Sequence, residues 1–146
     1  MATNPYLMAV CSETQKVNPL FNFLGARLVS AVDGEARLEL PLSPCLTQGA
    51  GAVAGGILAT LADEAMAHAV ISVLEHDKST VTTEMNIRYL RGTDPNRQGM
   101  LIGTARIIKA GRSILTAEAQ VHDDTGQLLA TAGGSFFVIA AKKSVP

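Results

Sequence analysis

Residues 51–70 read GAVAGGILATLADEAMAHAV, a glycine-rich entry followed by an apolar run that carries Asp63 and Glu64 side by side. The run is apolar at nearly every turn and rich in Ala, Leu and Met, so it predicts one long buried helix over about Ala54 to Glu75. Upstream, NPLFNFLG (18–25) predicts a short helix stopped by Gly25, after a loose or partly helical lead-in over residues 1–14. ARLVSAV and EARLELPL predict strands around Asp33-Gly34, residues that a tight hairpin turn prefers. Pro41, Pro44 and the run Thr47 to Gly51 predict an irregular loop.

Four strand-like runs follow the helix. STVTTEMNIRYL (79–90) alternates, with Val81, Met85, Ile87 and Tyr89 on one face and Thr82, Glu84, Asn86 and Arg88 on the other. LIGTARIIK and SILTAEAQV flank a turn at Ala110-Gly111-Arg112, and DDTGQ turns the chain into LLATAGGSFFVIA (128–140). Gly133-Gly134 in that last run marks either a bulge or a close approach of another backbone. Strands grouped around one helix predict an α+β fold, with a four-stranded antiparallel meander closing the sheet.

The chain has 146 residues, with neither an internal repeat nor a linker, so a single domain over 1–146 is expected. Twelve Lys plus Arg against thirteen Asp plus Glu leave no basic field for nucleic acid or an anionic membrane. The most apolar stretch is interrupted by Asp63, Glu64 and His68, which argues against a membrane span. MATNPYLMAV lacks the pattern of a signal peptide, and Cys11 and Cys45 show no motif spacing. A cytoplasmic protein with reduced thiols is expected.

On a helical wheel Thr60, Glu64, His68 and Ser72 form a polar stripe, which places Glu64 on the wetter face with His68 as a pairing partner. Asp63 points about 100° away. Its neighbours one turn off are Ala59, Thr60, Met66 and Ala67, where a carboxylate is costly unless hydrogen-bonded, protonated or at work in a pocket. Gly55-Gly56 sit at the expected helix start, where unpaired N–H groups and the positive end of the dipole suit an anion or oxyanion. The same glycines also fit plain close packing of helix on sheet. Gly55 and Asp63 lie eight residues apart, about 12 Å along a helix. One small reacting group cannot easily touch both in one chain. Cooperation therefore requires two antiparallel copies of the helix and a symmetric dimer with two shared sites.

Other constellations fail. Gly49, Gly51 and Gly55 do not follow a strand as a dinucleotide-binding turn requires. His68, His76 and His122 lack metal-ligand spacing, so no metal is expected, and no Ser occupies a G-x-S-x-G turn.

Taken in order, NPLFNFLGARLV, GAVAGGILATLADEAM, TTEMNIRYLR and KAGRSILTAEAQVHDDTGQLLATA resemble the hotdog-fold acyl-CoA thioesterases of the PaaI-type and 4-hydroxybenzoyl-CoA thioesterase-related branches, over about residues 18–139. The resemblance implies an antiparallel sheet wrapped around one central helix and hydrolysis of a small, medium-chain or aromatic acyl-CoA. Coenzyme A is then part of the substrate, and no separate cofactor is expected. It implies Asp63 as nucleophile or general base, the Gly55 N–H as the group polarising the thioester carbonyl, and Gln48 as the orienting amide. Gly56, Thr82, Ala54 and Ala67 fall at the substrate, and Arg88, Arg91, Lys109 and Arg112 are the candidates for the coenzyme A phosphates. Relatives share each site between subunits, which implies a homodimer at least and a homotetramer as a dimer of dimers. Ala54 departs from the family's usual His, and Ala67 from the Ser or Thr of some members. A non-catalytic acyl-CoA binding or sensing protein is therefore the alternative. A hydratase fits less well, because His68 lies on the Glu64 stripe rather than beside Asp63.

Overall fold

The computed structural model describes residues 4–142. Helices α1 (Pro5–Val10) and α2 (Pro19–Leu24) lead into strands β1 (Arg27–Val32) and β2 (Glu35–Pro41). A 3-10 turn at Pro44–Leu46 precedes α3 (Gly55–Ile71), followed by β3 (Lys78–Tyr89), β4 (Met100–Ala110), β5 (Ile114–Asp123) and β6 (Leu128–Ala140). The strands form one antiparallel sheet in the order β1-β2-β4-β5-β6-β3, with α3 packed across its inner face.

Local chemistry accounts for the ends of most elements. Asn18 caps α2, its side chain accepting from the Phe21 N–H at 3.3 Å, and Gly25 stops that helix in the left-handed conformation at φ 75°. Asp33 and Gly34, at φ 50° and 83°, make the β1–β2 turn. The helix α3 ends at Ile71 rather than at Glu75. The Ser72 hydroxyl donates to Ala69 O and accepts the Gly34 N–H at 2.8 Å, while Val73 and Leu74 bond back three residues and tighten the last turn.

Inner-face residues Leu38, Leu40, Leu101, Leu115, Val121 and Phe136 are fully buried against α3. The outer face carries Arg37, Glu39, Arg106 and Glu118, with Arg106 and Glu118 paired at 2.6 Å. Helix and sheet approach closely because small residues lie between them. A Cβ at Gly103 in β4 would fall 2.8 Å from Leu61 Cγ and 3.1 Å from the Leu61 carbonyl oxygen. The helix is buried on a second side too. Leu7 and Val10 of α1 and Phe21 of α2 join the same core, so the described part of the lead-in, residues 4–14, is partly helical and seated through α1.

Two expectations for the strands change. The meander is β4-β5-β6 only. β3 leaves α3 at the far edge of the sheet and pairs with β6, and the long loop after Tyr89 returns the chain to β4 beside β2. A bulge between Thr82 and Glu84 also interrupts the alternation of β3. It turns Thr82 to the helix-facing side that Met85, Ile87 and Tyr89 occupy. Gly133-Gly134 stays in register with both neighbours, and Gly134 serves close approach, a Cβ there lying 3.0 Å from the Glu84 carbonyl oxygen.

The seat of α3 gives a stability prediction. Gly103→Ala forces Leu61 off the sheet and lowers unfolding free energy by about 1–3 kcal/mol, read from urea denaturation.

Candidate functional site

Asp63 lies half-buried on α3, facing β3. The Thr82 hydroxyl donates to Asp63 Oδ1 at 2.8 Å, a contact that the β3 bulge makes possible. Oδ2 has no partner among the described residues and remains available. The hydrogen bond and partial exposure explain how an acidic residue is tolerated among Ala59, Met66 and Ala67.

Two turns toward the start of the helix, Ala54 is the N-cap and supplies no side-chain cap. Its N–H bonds to Leu46 O, and its carbonyl accepts from Ile57 and Leu58. Among the described residues the N–H groups of Gly55 and Gly56 have no acceptor. They therefore form a pair of free donors at the positive end of a 17-residue helix. Gly55 and Gly56 differ in what requires glycine. A Cβ at Gly55 would lie 3.1 Å from Tyr89 Cζ, whereas one at Gly56 would meet nothing within 4 Å. Gly55 is thus required by a tyrosine ring, and Gly56 leaves its backbone open to solvent.

The remaining candidates are more dispersed. Gln48 is exposed, and its side-chain oxygen accepts from the Ala50 N–H, so it braces its own loop. That loop is tied down by Val53 N–H to Thr93 O and by a bridge between Thr47 and Val53. Ala67 packs toward the core one turn beyond Asp63. Arg88 and Arg91 flank Tyr89 at the Gly55 end of β3, while Lys109 and Arg112 lie at the β4–β5 hairpin, level with Thr82. One chain does not gather these four cations. All four are exposed, and none forms an ion pair among the described residues. A groove of about 510 Å³ on the outer face, lined by Glu35, Arg37, Thr104, Arg106 and Glu118 among others, includes none of these residues.

Glu64 and His68 depart from the solvated stripe expected of them. His68 is buried and stacks on Phe21, with ring centroids 5.3 Å apart. Its Nδ1 donates to the Glu64 carbonyl oxygen at 2.6 Å, so the Tyr6 hydroxyl donates to Nε2 at 3.1 Å. Asn18 donates to the Tyr6 hydroxyl at 3.1 Å and approaches Glu64 Oε2 at 3.5 Å. Burial pushes the His68 pKa down to about 4, against the hydrogen bond that Nδ1 donates to the Glu64 carbonyl. The 3.7 Å approach of Glu64 to His68 is therefore no ion pair at neutral pH. Burial first, and the Asp63 charge second, push Glu64 up to about 6, with the Asn18 amide opposing. The wheel missed this network because its partners come from α1 and α2. Strand alternation likewise assigns Tyr89 only to a face of β3, and its contact with Gly55 depends on where α3 lies.

The signs give a pH prediction. The raised Glu64 pKa contributes stability below the unfolded value, and this is lost as pH rises through about 6. His68 acts oppositely, losing stability as pH falls from its unfolded value toward about 4. Glu64→Gln is expected to stabilise the fold by about 2 kcal/mol near pH 8, a gain that vanishes near pH 4, as read from urea midpoints at both pH values.

The Thioesterase superfamily matches residues 50–130, more than half of the chain. A putative esterase of Halobacterium salinarum is 40% identical over 107 residues, covering 70% of this chain and 68% of that protein. A 1,4-dihydroxy-2-naphthoyl-CoA hydrolase of Listeria monocytogenes is 28% identical over 120 residues, covering 82% and 93%. In structure, the Escherichia coli PaaI protein from the phenylacetic acid degradation operon superposes with a TM-score of 0.77 at 22% identity, covering 85% of this chain and 86% of that one. With its antiparallel sheet wrapped on one helix, the chain belongs to the thioesterase superfamily and has the hotdog fold.

Proposed function

We propose that this protein hydrolyses an acyl-CoA thioester at a site shared between two copies, with Asp63 of one copy and the Gly55 N–H of the other. The observation that carries the reading is the Asp63 carboxylate, oriented by Thr82 through one oxygen with the other oxygen free. Asp63 Oδ2 takes a proton from water as its oxygen attacks the thioester carbonyl carbon. The carbonyl electrons move onto oxygen, where the Gly55 and Gly56 N–H groups hold the developing charge. Collapse re-forms the carbonyl, breaks the C–S bond and releases coenzyme A, whose thiolate recovers the proton. Direct attack by Oδ2 breaks the C–S bond, expels the coenzyme A thiolate and gives an anhydride, which water then opens at the Asp63 carbonyl carbon. Single-turnover hydrolysis in isotopically labelled water separates the routes, since only the second carries label into Asp63.

The need for two copies follows from α3, a continuous helix from Gly55 to Ile71 that keeps the two groups about 12 Å apart. Support for the pairing comes from β3, a 12-residue edge strand whose middle is largely exposed beside the Asp63 face of α3. Antiparallel pairing of two β3 edges lays the two α3 helices side by side in opposite directions. Each Gly55 then lies opposite the partner's Asp63, at the middle of its helix. The same operation carries the Arg88–Arg91 end of one β3 to the Thr82 end of the other, the level at which Lys109 and Arg112 lie, and these cations are the candidates for the coenzyme A phosphates. The acyl group lies along the apolar flank of α3, and the Listeria relative acts on an aromatic acyl-CoA by its name.

A non-catalytic acyl-CoA binding role is the second reading, favoured by Ala54, which supplies no side-chain hydrogen bond at the cap. Thiol release measured beside calorimetric binding, over a panel of aliphatic and aromatic acyl-CoA esters, decides between the two. Binding without release selects the second.

Asp63→Asn is expected to lower kcat by about 10²- to 10⁴-fold without altering oligomeric state. Gly55→Val, which displaces Tyr89, is also expected to be inactive. Mixing the two inactive variants restores turnover, because each mixed dimer keeps one intact site. Failure of complementation with confirmed subunit exchange would place the whole site in one chain. Arg91→Glu and Lys109→Glu are each expected to raise KM with little change in kcat, an effect that fades at high salt.

A further inference from the structure

We propose that Tyr89 is a positioning residue for the oxyanion-binding amides, holding the Gly55–Gly56 peptide plane and strengthening the Gly56 N–H as a donor. The inference rests on the hydrolase reading above and assigns how its donors are set. The Tyr89 hydroxyl donates to the Gly55 carbonyl oxygen at 3.0 Å. That carbonyl shares one peptide unit with the Gly56 N–H, so a hydrogen bond to the oxygen polarises the N–H on its far side.

The turn needs an external brace. Two successive glycines are the least constrained residues with which to open a helix, and Ala54 contributes no cap. Two hydroxyls reach the glycine carbonyls, Tyr89 at Gly55 and Thr60 at Gly56, the latter at 2.9 Å. The peptide held by Thr60 carries the Ile57 N–H, which is already bonded to Ala54 O at 3.0 Å. Only Tyr89 acts on a free donor. Its ring also lies against Gly55, where a Cβ would fall 3.1–3.3 Å from Cζ, Cε1 and Oη. Ring and hydroxyl thus restrain one plane from the side and from the end.

Sequence spacing alone would forbid this role alongside that of Thr82. Thr82 and Tyr89 are seven residues apart, and an unbroken strand sends residues at odd spacing to opposite faces. The bulge between Thr82 and Glu84 brings both hydroxyls to α3, one onto Asp63 and one onto Gly55. A single irregularity in β3 therefore orients both the carboxylate and the amide donors.

The test uses Tyr89→Phe, which keeps the ring and removes the hydroxyl. The Gly56 amide proton is expected to move upfield in a two-dimensional NMR spectrum, with ring-current effects unchanged. With an acyl-CoA substrate, kcat is expected to fall about three- to tenfold, with KM, the affinity for a CoA thioether lacking the carbonyl, and Tm unchanged. An unmoved Gly56 resonance, or full kcat in the variant of an active parent, overturns the inference. If the parent releases no thiol, the hydrolase reading fails by itself, and the Gly56 resonance still decides whether Tyr89 polarises the donor.

Discussion

The close seating of α3 on the sheet is the constraint from which the rest of this structure follows. Gly103 lets Leu61 come down onto β4, and Ala105, Ala117 and Ala119 keep the inner face low where the helix crosses it. With only 4% aromatic residues, the chain fills its interior by proximity rather than by bulk. Leu58, Leu61, Ala65, Met66 and Ala69 are therefore fully or nearly fully buried, and the helix can tolerate polar groups only at defined openings. One opening faces β3, where Asp63 lies. Another is covered by α1 and α2, where Tyr6 and Asn18 meet His68 and Glu64.

Those two openings treat adjacent carboxyls differently. Asp63 has a hydroxyl donor at 2.8 Å and partial exposure. Glu64 has a weak amide contact at 3.5 Å, a buried neutral imidazole and the Asp63 charge as surroundings. Desolvation without a strong donor is what raises the Glu64 pKa, and the surroundings of the two side chains differ. The contrast is thus one of partners rather than of sequence position, since the residues are consecutive and differ by 100° of helix rotation.

Much of the architecture was legible in the sequence because local chemistry set it. Asn18 and Gly25 bound a helix, Asp33-Gly34 makes a turn, and the Ala- and Leu-rich run forms the central helix. Patterns that depend on non-local partners were not legible. The neighbour of β3 is decided by which edge the chain reaches after crossing the sheet, and strand alternation carries no such information. The bulge that reverses Thr82 is equally silent, because STVTTEM is a regular alternating text with or without it.

The sequence by itself determined the element types, the central helix and its two candidate groups, Asp63 and the Gly55-Gly56 amides. Periodicity, capping and the cost of a lone carboxylate are local quantities, and they can be read along the chain. Only the tertiary structure decided that Thr82 orients Asp63, that Tyr89 rests on Gly55 and that Glu64 and His68 sit under the lead-in rather than in water. Each of those depends on a side chain brought from a distant element, through a bulge or a covering helix that composition and spacing do not encode.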